Sequence, residues 1–176
     1  MSAICQRLES AIIRWLLRSA DPTEDAVSSF ALATEATAVT VTPYGLLVHY
    51  GDSATFNLNF YAGESEEKQE LPKLVVAASQ GAPVEGCWNI HTIPVEITLA
   101  VSADSSSTVD SVAFMDQTSR WAHDLIAGTR GMMDGIEAAE PTLVVSHVTS
   151  PEIGRAPDGR MRVHRWQFDV VASMGR

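Results

Sequence analysis

Between Ile93 and Ser102 the residues alternate without a break. Ile93, Val95, Ile97, Leu99 and Val101 fall on one side, with Pro94, Glu96, Thr98, Ala100 and Ser102 on the other. Successive strand side chains point to opposite faces, so this run predicts a half-buried strand. Near the end of the chain Met161–Ala172 repeats the pattern, with His164, Trp166, Phe168 and Val170 on one face. Leu143–Ser150 is β-branched, and the segment SPEIGRAPDGR lies between these last two runs. With Asp158-Gly159 as the turn, the end of the chain reads as one long hairpin.

The remaining periodicities fill in a single domain. Ile4, Leu8, Ile12, Trp15 and Leu16 form an apolar stripe on a helix over Ala3–Ala20. Asp21-Pro22-Thr23-Glu24 stops that helix or caps a second short one, and residues 24–36 fit helix or strand. From Ala38 the period becomes two: Val39 and Val41 precede a turn at Pro43-Tyr44-Gly45, then Leu46–Tyr50, then Phe56, Leu58 and Phe60. Ala62–Glu70 reads as a solvated acidic loop, Lys73–Ser79 as a strand opened by Pro72, and Gln80–Asn89 as a second loop. A helix over Val109–Ala127 has Ser107 and Asp110 as a capping box and Phe114, Trp121 and Leu125 on one face. Gly128 stops it, and a short helix follows at Met132–Ala139 before Pro141. Strands cluster instead of alternating with helices. The expected class is α+β, a mainly antiparallel sheet flanked by two main helices in one domain over residues 1–176.

Composition narrows the chemistry. With 12 Lys and Arg against 22 Asp and Glu the chain carries −10, which argues against general nucleic-acid binding. Cys5 and Cys87 are too few for a disulfide framework or a cysteine-rich zinc site, and Cys87 beside Trp88 is expected to pack. Arg7, Glu9, Arg14 and Arg18 interrupt the first apolar pattern, so no signal peptide is expected and folding is placed in the cytoplasm. No nucleophile elbow, zinc helix, CxxC, Walker loop or dinucleotide fingerprint occurs, and Gly128-Thr129-Arg130-Gly131 is too short to cradle a phosphate.

Two catalytic constellations remain as an alternative reading, a small cytoplasmic enzyme. His147 and His164 could face each other across the last hairpin with His91 approaching, as a metal site. Glu96 could pair with Asp110, Asp116 or Asp124 as acid and base. Half-buried strand histidines and a wet acidic helix face account for both sets without chemistry.

Charge is segregated along the chain. Residues 21–70 hold nine acids and one base, Lys68, whereas residues 155–165 hold Arg155, Arg160, Arg162 and Arg165 against Asp158 alone. That split fits either a solvated surface with a basic loop or self-association in which Glu64, Glu66 and Glu67 of one copy meet the arginines of the next.

The order of a first helix, a β-rich middle, LPKLVVAAS, a Gly/Pro loop, WNIHTIPVEITLAVSADSSS, a helix and a closing HRWQFDVVAS resembles tailed-bacteriophage tail-terminator or tail-completion proteins. The resemblance covers residues 70–176 and the first helix; residues 21–61 exceed that pattern and read as an insertion. It implies a virion structural protein with no catalytic site and no cofactor, assembled in the host cytoplasm as a ring, usually a hexamer. Such a ring caps the tail tube protein, joins it to the head connector or neck protein, and lets DNA pass its lumen without specific binding or membrane contact. The loops Ala62–Glu70 and Ser150–Arg160 would then order against neighbouring subunits.

Overall fold

The computed structural model describes residues 2–23, 28–51, 54–64, 66, 68–102, 111–158 and 161–175. In chain order the elements are α1 (Ala3–Ala20), α2 (Ser29–Thr34), β1 (Ala38–Thr42), β2 (Gly45–Tyr50), β3 (Ala54–Ala62), β4 (Lys73–Ala78), β5 (Ala82–Val84) and β6 (Cys87–Ser102). Then follow α3 (Ser111–Ala127), α4 (Thr129–Ala139), β7 (Leu143–Val148), β8 (Glu152–Asp158) and β9 (Met161–Met174). The fold is α+β. Its sheet runs β1-β2-β3-β4-β6-β9-β7, with β5 added beside β6 and β8 beside β9. Among the described residues β3 and β4 are the one parallel pair; the other neighbours are antiparallel.

Register sorts the side chains by face. Val95 pairs with Phe168, Ile97 with Trp166 and Leu99 with His164, so the apolar sides of both long runs meet on one face. The stripe of α1 covers that face with Leu8, Ile12 and Leu16 fully buried, and α3 adds Phe114, Trp121 and Ile126. Each such side chain contributes about 1.5–3 kcal/mol when it leaves water, so this layer holds the molecule together. An aromatic chain ties α2 and α3 to the early strands: Phe30 meets Trp121 edge-on at 5.0 Å, and Phe114 meets Phe56 at 4.6 Å. Within residues 21–61, expected as an insertion, β1, β2 and most of β3 continue the sheet, and Val39, Leu46, Val48 and Leu58 join the same core.

Two buried ionisable side chains hydrogen-bond to backbone groups left outside the strand pairing. The last turn-free N–H of β4, at Ala78, lies beyond the stretch of β4 that pairs with β3. It donates instead to the Glu9 carboxylate of α1 at 2.8 Å. On the opposite face of the sheet, Lys73 is 1 % exposed and its Nζ donates to Glu66 O at 2.7 Å and Gln69 Oε1 at 3.2 Å. These bonds hold the connection from β3 to β4 over that face, where Glu70 N–H also donates to Tyr61 Oη. The described residues of the acidic segment after Ala62 lie outside the strands and are held through Glu66 O and Glu70 N–H.

Four expectations change. Gln80–Asn89 is a hairpin, β5 turning through Glu85-Gly86 into β6, with Gly86 at φ 79° where glycine is favoured. The β6 strand is accordingly 16 residues long and begins at Cys87. SPEIGRAPDGR contains β8, which pairs with β9 from Glu152↔Gln167 to Asp158↔Met161; only 149–151 interrupts that arm of the closing hairpin. The last helix starts at Thr129, earlier than Met132. Cys87 and Trp88 do not pack: the β5–β6 hairpin outruns its neighbours, and Trp88 is 89 % exposed at its tip. The Ser107/Asp110 capping box and Gly159 lie outside the described residues.

Candidate functional site

Strand alternation divides the arginine cluster. Arg155 of β8 is opposite His164, and Arg162 of β9 is opposite Val101, so both lie on the helix-bearing face. With Val112, Met115, Asp116 and His164 they line a cleft of about 370 Å³ between α3 and the closing hairpin. Both arginines are exposed, and neither has an ion-pair partner among the described residues. Arg165 is opposite Thr98 and Gly154 on the other face, where its Nε lies 3.8 Å from Glu96 Oε1. The structure thus brings Arg155 and Arg162 together and sends Arg165 away. Arg160 lies outside the described residues.

The acidic partners occupy that other face. Glu64, Glu66 and Glu70 are exposed on the crossover above Lys73. Glu67 lies outside the described residues. Lys73 pairs with Ala100, which pairs with Val163, so the crossover and the arginine cleft share a level of the sheet on opposite faces.

His164 is the buried polar centre of the cleft. Its Nδ1 and Ser119 Oγ are joined at 2.6 Å, fastening β9 to α3. Burial pushes the imidazole below the ordinary histidine value; the Arg155 guanidinium pushes the same way and Asp116 opposes them. A serine–histidine contact is half of a nucleophilic pair. Here Ser119 sits inside α3, where neighbouring backbone N–H groups are committed to the helical ladder and supply no oxyanion donors. The contact acts as a clamp.

The catalytic constellations do not assemble. His147 is opposite Val171, while His164 is opposite Arg155 and Leu99. The seven residue steps along β9 between those rows span about 24 Å at the usual strand rise. His91, opposite Ala172, lies toward the far end of β9 from His164, on the core face; His147 shares the other face with Val171. Among the described residues no group of three His, Cys, Asp or Glu is placed to hold a metal ion. Glu96 accepts from Gln167 Nε2 at 2.7 Å and Thr98 Oγ1 at 3.1 Å on the face away from α3, so the sheet separates it from Asp116 and Asp124. Asp110 lies outside the described residues. No described helix is long and apolar enough to cross a membrane.

Two features escaped the sequence reading. Lys73 inside the apolar run LPKLVVAA was the signal for a buried ammonium that anchors the crossover. Glu85-Gly86 between Val84 and Cys87 was the signal for a hairpin that carries Trp88 into solvent. No protein-family model matches the sequence, and no curated protein matches it.

Proposed function

We propose that the chain is the subunit of a ring at the head-proximal end of a phage tail, capping the tail tube and joining it to the head connector. The observation that carries this reading is the element order. A first helix, a strand-rich middle, the 16-residue β6 followed by α3, and a long closing hairpin are the elements on which the tail-terminator resemblance rests. The opposed charged faces support it, because a ring closes through heterologous contacts between different patches of identical subunits. So does Trp88, a large aromatic that contributes little to the fold and is 89 % exposed. The surplus of acids keeps DNA from sticking to the ring's lumen. In this role the protein works through its interfaces, with no turnover and no cofactor.

The test is an amber allele in the phage that carries the gene. It should yield DNA-filled heads without tails and tail tubes of uncontrolled length, restored by the chain supplied in trans. Infectious particles of normal morphology without the chain would refute the reading.

A further inference from the structure

The cleft holding Arg155 and Arg162 is built to receive an anion. Two guanidinium groups line it without ion-pair partners among the described residues, and the exposed Val112 and buried Met115 supply an apolar wall. Asp116 is the one acid among its described lining residues. Across the sheet the β3–β4 crossover displays Glu64, Glu66 and Glu70 on a backbone pinned by the Lys73 ammonium. Pinning matters, since backbone already held at Glu66 loses less entropy there on binding. The two patches lie on opposite faces, so one copy cannot join its own. Between copies the pairing is head-to-tail, the type of contact that closes rings.

We infer that the acidic crossover of one subunit docks into the Arg155/Arg162 cleft of the next, as the repeating contact of the assembly. This inference rests on the ring reading and assigns its contact. Arg165, paired toward Glu96 on the other face, lies outside that contact.

A charge swap tests it. One variant carries Arg155→Glu and Arg162→Glu; a second carries Glu64→Lys and Glu66→Lys. Each alone sets like charges against each other, which should weaken association about 100-fold or more. Mixed in equal amounts, the first variant's crossover fits the second's cleft, and the first's acidic cleft takes the second's basic crossover. Native mass spectrometry at low salt should show wild-type oligomers that dissociate as salt rises, each variant alone as a folded monomer, and mixed oligomers with equal numbers of both masses. Variants that assemble alone as wild type does would overturn the contact and leave the ring intact. A mixture that stays monomeric also overturns it, as does a wild type monomeric at every concentration. The amber allele decides the ring reading independently.

Discussion

Replacing Gly135 by Ala isolates one packing contact from helix propensity. Gly135 lies inside α4, where the helix crosses α1. A Cβ added there would sit 2.1 Å from Trp15 Cδ1 and 2.3 Å from Nε1. Carbon atoms in contact settle near 3.5–4.0 Å, so the indole must retreat by at least about 1.4 Å. Trp15 is 8 % exposed and belongs to the core cluster, which leaves little room for retreat. Overpacking of this kind costs about 1–3 kcal/mol, against a helix gain from Gly to Ala of about 0.5–1 kcal/mol. Gly131 of the same helix is the control, since a Cβ there meets nothing within 4 Å. Gly131→Ala should raise stability and Gly135→Ala lower it, separating the two by about 1–3 kcal/mol. For a domain of this size that is about 2–12 °C in melting temperature. Urea and thermal unfolding followed by circular dichroism at one protein concentration reads the difference. In the double variant, Trp15→Phe should recover part of the Gly135→Ala loss through a coupling of 0.5 kcal/mol or more. If the two alanine variants shift stability equally, the close approach of α4 to Trp15 is wrong.

The buried titratable groups give opposite pH slopes. Burial raises the Glu9 carboxyl above its ordinary 4.5 despite the Ala78 N–H, so the folded chain holds that proton longer and stability falls as pH rises through 4.5. Glu9→Gln keeps an acceptor for Ala78 and should remove that fall; an unchanged profile counts against it. His164 is lowered from 6.5, so the unfolded chain takes up its proton first, and stability drops as pH falls below 6.5. His164→Gln should flatten that drop, read from urea midpoints between pH 4 and 8. Lys73→Met retains the buried stem but loses the bonds to Glu66 and Gln69; hydrogen exchange at residues 66–70 should accelerate at least tenfold, and unchanged protection would show that Lys73 does not anchor the crossover. Trp88→Ser should leave monomer stability within about 0.5 kcal/mol, because the side chain touches little of its own chain; a larger loss would place Trp88 in the core.

How much of this was legible depended on how local the signal is. The α1 stripe, the β1–β2 turn and the alternation of β6 and β9 all follow from periodicity within one element, and the structure has them where the pattern puts them. Gln80–Asn89 and SPEIGRAPDGR looked like loops because of their Gly and Pro. They become strands because β6 and β9 offer long edges whose backbone groups need partners. Cys87, beside Trp88, is expected to pack because no Lys or His-rich setting marks its thiol as reactive. Its exposure follows from the length of the hairpin relative to its neighbours, which no local pattern encodes.

The charge split is visible in the sequence, as is the α+β class, because both depend only on which residues occur and how they alternate. Whether the charges can act together is a tertiary matter. Arg162 and Arg165 differ by three positions on β9, an odd number, so the pleat sends them to opposite faces. Arg155 joins Arg162 only because the register of β8 sets it opposite His164. The same pairing geometry keeps His91, His147 and His164 apart and puts the sheet between Glu96 and the acids of α3. Sequence alone determines the periods and the charges; strand register, fixed by burying one face of the whole sheet at once, decides which of them meet.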